Sequence, residues 1–436
     1  MNGKGGKHRD GGSKAISGSR WQAVLARVPG VLWVLLGQAL QSATNFLTIA
    51  AMGRFAGVDE LGVFALALSC YFFAVSVADT LVATPYTYLH THADAEAHGE
   101  LTISGMASAA LVGAVAATLL TVVWWLDWTA LAKLWPMLPC VVALTVLREF
   151  FKRHLLVTQR YAALFAMDAV LCALQLSGLL VVTLWEHLSA HSAMAVMGAA
   201  TAFSLLPALS RQALSYSDAE HALRHLPRFL QSSVRYGRWL FLGGMCHVGS
   251  VQLYPWLAMA SGGTRAAGLY AACVSIVNLL NPLLTGLTNY FRPRFMMALR
   301  DMPSKQAFST YVMHRSIAFV APALLLALGL STMGDGMLSL LYGEHFRGGG
   351  AALAWMGWGT LAVAIAAPVQ LALLAMHAPS TNFAYHGFSL SLLLGLAWLG
   401  WNSVDVTRLG QLYAAINTLA ALLLIALWRG RLISQQ

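Results

Sequence analysis

Long runs without a charged side chain alternate with short polar segments along most of this chain. Stretches free of Asp, Glu, Lys and Arg cover 28–53, 61–78, 101–126, 187–210, 239–264, 266–291, 316–334, 348–404 and 409–428. A membrane-crossing α-helix needs about 20 mostly apolar residues, so each of the shorter runs predicts one crossing. The run 348–404 is too long for one and is expected to break at His377-Ala378-Pro379-Ser380-Thr381, where proline and polar residues stop a helix. Two weaker spans complete the set: 134–158, charged only in its last turns, and 161–185, which carries Asp168. The pattern predicts twelve transmembrane helices. The roughly ten-residue alternation of barrel strands is not seen in these segments.

Composition gives this pattern its meaning. Hydrophobic residues make up 58% of the 436 residues and charged ones only 10%, against about 25% in a soluble protein. Too little charge is present to cover a soluble surface, so the solvent for most of the chain is lipid. A cytosolic enzyme, a secreted disulfide scaffold and a soluble nucleic-acid binder are excluded, and the net charge of +10 is not a nucleic-acid footprint. Cys70, Cys140, Cys172, Cys246 and Cys273 all lie in apolar stretches without ligand spacing and read as small hydrophobes.

Charge decides sidedness instead. With the N-terminus inside, all but five of the 27 Lys and Arg residues fall on one face, the exceptions being Arg54, Lys133, Arg265, Arg347 and Arg408. Basic segments resist translocation, so both termini are expected in the cytoplasm and the chain in the inner (plasma) membrane. A basic tail and interfacial segment at 1–27, rich in Gly and Ser, is expected to be disordered; no cleavage site follows it. Residues 28–214 and 234–428 predict two six-helix bundles. Residues 215–233, with Leu223, Leu226 and Leu230 at helical spacing, predict an amphipathic cytoplasmic linker, and 429–436 a short tail.

The halves echo each other. A shift of 206 positions places Gly37, Leu47, Gly57, Gly62 and Ala65 on Gly243, Leu253, Gly263, Gly268 and Ala271, and Phe64 on Tyr270. This is a parallel repeat, the plan of carriers with a cavity between two bundles. Three patterns then carry a family resemblance: Gly57-Val58-Asp59-Glu60-Leu61-Gly62-Val63-Phe64-Ala65-Leu66-Ala67 with Ala78-Asp79, its echo Gly268-Leu269-Tyr270-Ala271, and Leu341-Tyr342-Gly343-Glu344-His345-Phe346. In these the chain resembles the polysaccharide (O-antigen and exopolysaccharide) flippase branch of the MATE/MOP exporter superfamily. The resemblance implies an all-α integral membrane fold with twelve transmembrane helices in two six-helix bundles related by a parallel repeat. It implies a flippase that moves lipid-linked oligosaccharide, a polyprenyl-diphosphate sugar, from the cytoplasmic to the periplasmic leaflet by alternating access. Membrane lipids and polysaccharide polymerase or export machinery would be its partners, with no cofactor, no metal and no nucleic acid.

Such a cargo demands a wet cavity, because burying its charge unpaired in hydrocarbon costs tens of kcal/mol by Born estimates. Gln38, Gln41 and Asn45 share one helical face of the first span, His247 is the repeat mate of Gln41, and Asn278, Asn281, Thr285 and Asn289 follow in the eighth span. These form the expected substrate cavity; the competing reading is polar packing between helices. Arg148, Arg153, Arg235, Arg238, Arg292 and Arg294 cluster at cytoplasmic span ends and are the expected diphosphate docking residues, since arginine forks match phosphate oxygens. For Arg148 beside Glu149 an internal ion pair is the equal alternative. Asp79, inside the second span, is the expected ion-coupling residue, or else the partner of a basic side chain. The His90–Glu100 segment has a metal-like composition but reads as a solvated connector. No phosphate loop or hydrolase motif is present, so no enzyme is expected. Three alternatives remain: a drug/cation antiporter of the same superfamily, a lipid-linked peptidoglycan precursor flippase, and a membrane glycosyltransferase, which large external loops would have marked.

Overall fold

The structure, a computed structural model, describes residues 29–126, 130–211, 216–376, 380–398 and 405–433. Helices, and no strand, make up the regular structure of these residues. In chain order they are α1 (Gly30–Ala51), α2 (Val58–Ala78), α3 (Thr84–His92), α4 (His98–Trp125), α5 (Met137–Val157), α6 (Tyr161–Leu184), α7 (Ala190–Arg211), α8 (Tyr216–Val277), α9 (Asn281–Asp301), α10 (Lys305–Tyr342), α11 (Gly350–Ala375), α12 (Ser380–Trp398) and α13 (Val406–Ile433). Eight described stretches are long and apolar enough to cross a membrane: Val58–His92, His98–Trp125, Tyr161–Leu184, Ala190–Ala208, Phe241–Asp301, Lys305–Tyr342, Gly350–Ala375 and Val406–Leu432. Helices α1, α5 and α12 are not among them; α1 carries Gln38, Gln41 and Asn45, and α5 carries Arg148 and Arg153. The expected tail at 1–27 and the break at His377-Ala378-Pro379 lie outside the described residues. Tyr216 onward, most of the expected linker, is helical and continuous with α8.

Helix α8 is one run only by hydrogen bonding. Gly262 (φ −145°, ψ 21°) and Gly263 (φ 69°, ψ −163°) leave helical geometry and break it in two. Gly57, which opens α2, has φ 92° and ψ 175°. The two positive-φ glycines are the 206-residue repeat mates, so each half turns into its second helix through the same residue type for the same steric reason. Around Gly57 a methyl group would meet nothing within 4 Å. Gly57→Ala should therefore cost about 1–3 kcal/mol through backbone strain alone, read as a lowered denaturation midpoint without loss of helix signal.

The halves meet just beyond these turns. A Cβ on Gly62 would lie 1.9 Å from the Thr264 carbonyl oxygen, and one on Gly268 the same 1.9 Å from the Val58 oxygen. Val58 and Thr264 are themselves repeat mates, so the contact is a local near-twofold. Thr264 Oγ1 also donates to Asp59 Oδ1 at 2.6 Å, and deeper down Trp256 Nε1 donates to Ser69 Oγ at 2.7 Å. Below the glycines Phe64, Leu66, Tyr254 and Tyr270 join one core with Phe150 and Tyr342; Phe291, Phe295, Phe308 and Phe319 form a second core within the second half.

The expected Leu341–Phe346 element is a plug. Tyr342 and Phe346 are fully buried with ring centroids 5.3 Å apart. A Cβ on Gly53 would lie 2.5 Å from Tyr342 Cδ1, so only glycine lets the end of α1 close over that ring.

Candidate substrate cavity

Between the halves lies a cavity of about 370 Å³, inside the usual range of ligand pockets. Helix α1 supplies Gln38, Gln41, Ser42, Asn45 and Thr48, α2 supplies Phe64, Leu68, Tyr71 and Phe72, and the second half supplies Ser275, Asn278 and Asn281. The α1 stripe lines the cavity together because its polar positions recur at helical spacing. The wall from the second half has a different origin. Pro282 has no N–H to give the Asn278 carbonyl, so Asn281 N–H takes it and the chain tightens into a 3₁₀ turn over Asn278–Leu280. That turn presents both asparagines, and Asn281 Nδ2 donates to Asn278 Oδ1 at 3.0 Å.

Five of the eight expected cavity residues thus come together: Gln38, Gln41, Asn45, Asn278 and Asn281. Three do not. Thr285 and Asn289 are exposed on α9 beyond the turn, and His247 pairs instead with His386 of α12, their Nδ1 atoms 3.3 Å apart. The cavity adds residues that had not been singled out. Gln175 of α6 is buried and donates to Thr48 Oγ1 at 2.9 Å, and Ser275 is hydrogen-bonded to the hydroxyl of the plug residue Tyr342.

Charge is kept behind the wall. Arg148 is fully buried and ion-paired with Asp168, and it also donates to Glu149 Oε1 at 3.3 Å. This is the internal pair rather than an open ligand site. Lys152 Nζ donates to Gln41 Oε1 at 3.0 Å and lies 3.6 Å from Glu149 and 3.8 Å from Asp168. Arg153 is ion-paired with Asp79, which also accepts from Thr84 at 3.4 Å. Three cations and three carboxylates therefore balance, and none lines the cavity. Of the other expected docking residues, Arg235, Arg238 and Arg292 are exposed, while Arg294 lies over the Tyr290 ring at 3.5 Å. A second hollow, an apolar groove of about 760 Å³, runs between α2, α4, α8 and α12 and is lined by Phe73, Val77, Leu119, Leu253 and Leu394 among others. His90 and His98 stack at 4.0 Å where α3 meets α4.

No protein-family model and no curated protein matches the sequence. Solved structures match in shape. The inward-facing conformation of a multidrug resistance MATE family transporter of the MOP superfamily gives a TM-score of 0.74 at 12% identity, over 90% of this chain and 95% of that one. The lipid II flippase MurJ, inward closed, gives 0.68 at 9% identity, over 91% of this chain and 87% of that one. This is the MATE/MOP fold. An outward-facing MATE family transporter gives 0.56 at 12% identity, over 92% of this chain and 94% of that one.

Proposed function

We propose that this chain is a carrier that moves an anionic lipid-linked oligosaccharide, of the polyprenyl-diphosphate class, from the cytoplasmic to the periplasmic leaflet of the inner membrane. Twelve crossings in two six-helix units, 28–214 and 234–428, would do so by alternating access. The observation that carries this reading is the cavity wall: amides and hydroxyls from both halves and aromatic rings from the first, with no charged side chain among the described lining residues. Amides and hydroxyls answer sugar hydroxyls, and ring faces answer the apolar faces of pyranoses. The diphosphate would stay at the cytoplasmic ends, near Arg235 and Arg292. Eleven helical steps separate Asn281 from Arg292, about 17 Å, a span suited to an extended oligosaccharide headgroup.

A cation antiporter needs carboxylates at the substrate. Asp79 and Asp168 are instead each held by an arginine, which favours the anionic cargo. The test is flipping of a fluorescent lipid-linked oligosaccharide in liposomes, alongside lipid-linked intermediates in a deletion strain. Gln41→Leu combined with Asn281→Leu should slow flipping at least about tenfold, the worth of one or two unmade polar contacts. Undiminished flipping by a folded double variant, or a deletion strain with intact surface polymer and lost resistance to cationic drugs, would overturn the reading. Flipping of a peptidoglycan precursor alone would move the cargo to that class.

A further inference from the structure

Among the described residues, the second half holds a pair of histidines that the cavity leaves unused. His247 of α8 and His386 of α12 set their Nδ1 atoms 3.3 Å apart, with the rings edge to face at a centroid distance of 4.4 Å. His247 occupies the place that the repeat pairs with the cavity residue Gln41, and the C=O of His247 is engaged by Ser250. Among the described residues no carboxylate lies within ion-pair distance of either ring.

The elements packed against α8 and α12 bring little charge to the pair. Tyr385 lies edge-on to His386 at 4.9 Å. Thr80 faces Gly244 of α8, and the carboxylate beside it, Asp79, is held by Arg153. Helix α2 carries Asp59 and Glu60 in its first turn, where they accept from Thr264 Oγ1 and the Ala190 N–H, and α8 itself carries Arg235, Arg238 and Arg265. Helices α1 and α11 contain no Asp, Glu, Lys, Arg or His; α3 and α4 carry theirs where the two meet, α13 has only arginines near its ends as charged residues, and the charges of α10 lie outside 316–334.

Two imidazoles in this geometry hold protons jointly. When both are neutral, one Nδ1–H donates to the other Nδ1. One added proton leaves that bond in place and makes it charge-assisted. A second would set two Nδ1–H groups against each other. We infer that the His247–His386 pair is a proton-binding site that takes one proton and resists a second, and that a pH difference across the membrane acts on the second half through it. The inference goes beyond the proposed cargo and does not depend on it.

The test is imidazole NMR of the full chain in lipid nanodiscs from about pH 5 to 8, the window in which histidine titrates. In the unaltered chain the two rings should share a single titration. In His386→Gln the remaining His247 should bind its proton with an affinity changed at least about tenfold, as expected for sites that interact by more than one pK unit. His247→Gln should do the same to His386. Rings that titrate independently, each as it does in the single variant, would overturn the site, and the unaltered chain alone can show this if a variant does not fold. Spin labels at Leu119 and Leu394, on opposite rims of the apolar groove, read the second consequence: a pH-dependent distance that disappears in the double Gln variant. A distance indifferent to pH would overturn that part. Neither readout involves cargo, so a failure of the flipping assay leaves it untouched.

Discussion

Asp168→Ala is expected to destabilise the protein by about 3–5 kcal/mol, the range for removing one partner of a buried ion pair. The side chains of Arg148 and Asp168 are 1% and 6% exposed, so the guanidinium left behind has no water to turn to. Glu149 offers it one longer contact and Lys152 adds a like charge nearby. Replacing both partners, Arg148→Leu with Asp168→Leu, should recover much of the loss, because no buried charge then remains unpaired. Asp79→Ala should cost much less. Its pair with Arg153 is 41% and 36% exposed, and open ion pairs contribute about 0–1 kcal/mol. Denaturation of the three variants in the same detergent measures the order. Equal losses for Asp168→Ala and Asp79→Ala would mean that burial does not set the cost.

Gly62→Ala and Gly268→Ala should each cost about 1–3 kcal/mol or more through overpacking. Each added methyl would sit 1.9 Å from a backbone oxygen of the facing helix. A carbonyl within a helix cannot swing aside as a side chain can, so the helices must separate. Since the two contacts are near-twofold images, the two variants should lose stability alike and widen the same label distance between the start of α2 and the Gly263 break in α8. Gly329→Ala and Gly286→Ala are the controls: their methyls meet open space, and alanine in a helix should be neutral or better by about 0.5–1 kcal/mol. Losses confined to one member of the pair would contradict the near-twofold contact.

Much of this was legible in the sequence, and the reasons differ by residue. The α1 stripe was readable because Gln38, Gln41 and Asn45 lie on an uninterrupted helix, where spacing fixes direction. On α9 the same logic failed past Asn281. Thr285 and Asn289 follow Asn281 at i+4 and i+8 on the same helix and so keep near its face, but each helical turn carries them further along α9, past the residues that line the cavity. His247 was placed by repeat equivalence, which maps backbone position; its partner His386 is 139 residues away and left no local sign. Gln175 and Ser275 are single polar positions in apolar helices and carry no period. Arg148 and Asp168 both stood out, but their pairing depends on how α5 packs against α6, which neither helix encodes alone. Gly57, Gly62, Gly263 and Gly268 were found as a repeat of letters. Only the backbone reveals that the first of each set turns the chain and the second lets the halves touch.

That near-twofold has an uneven interior. Where the first half presents Gln41, backed by Lys152, the second presents a histidine turned toward its own neighbour, and the asparagines at 278 and 281 have no amide counterparts at 72 and 75, which are Phe72 and Val75. A guest lodged on the axis of two matching walls could sit either way round with equal ease. Here the two walls set their amides at non-equivalent positions, so a reversed guest would no longer meet the same hydrogen-bonding groups. The frame is built by duplication, but its interior has a heads and a tails.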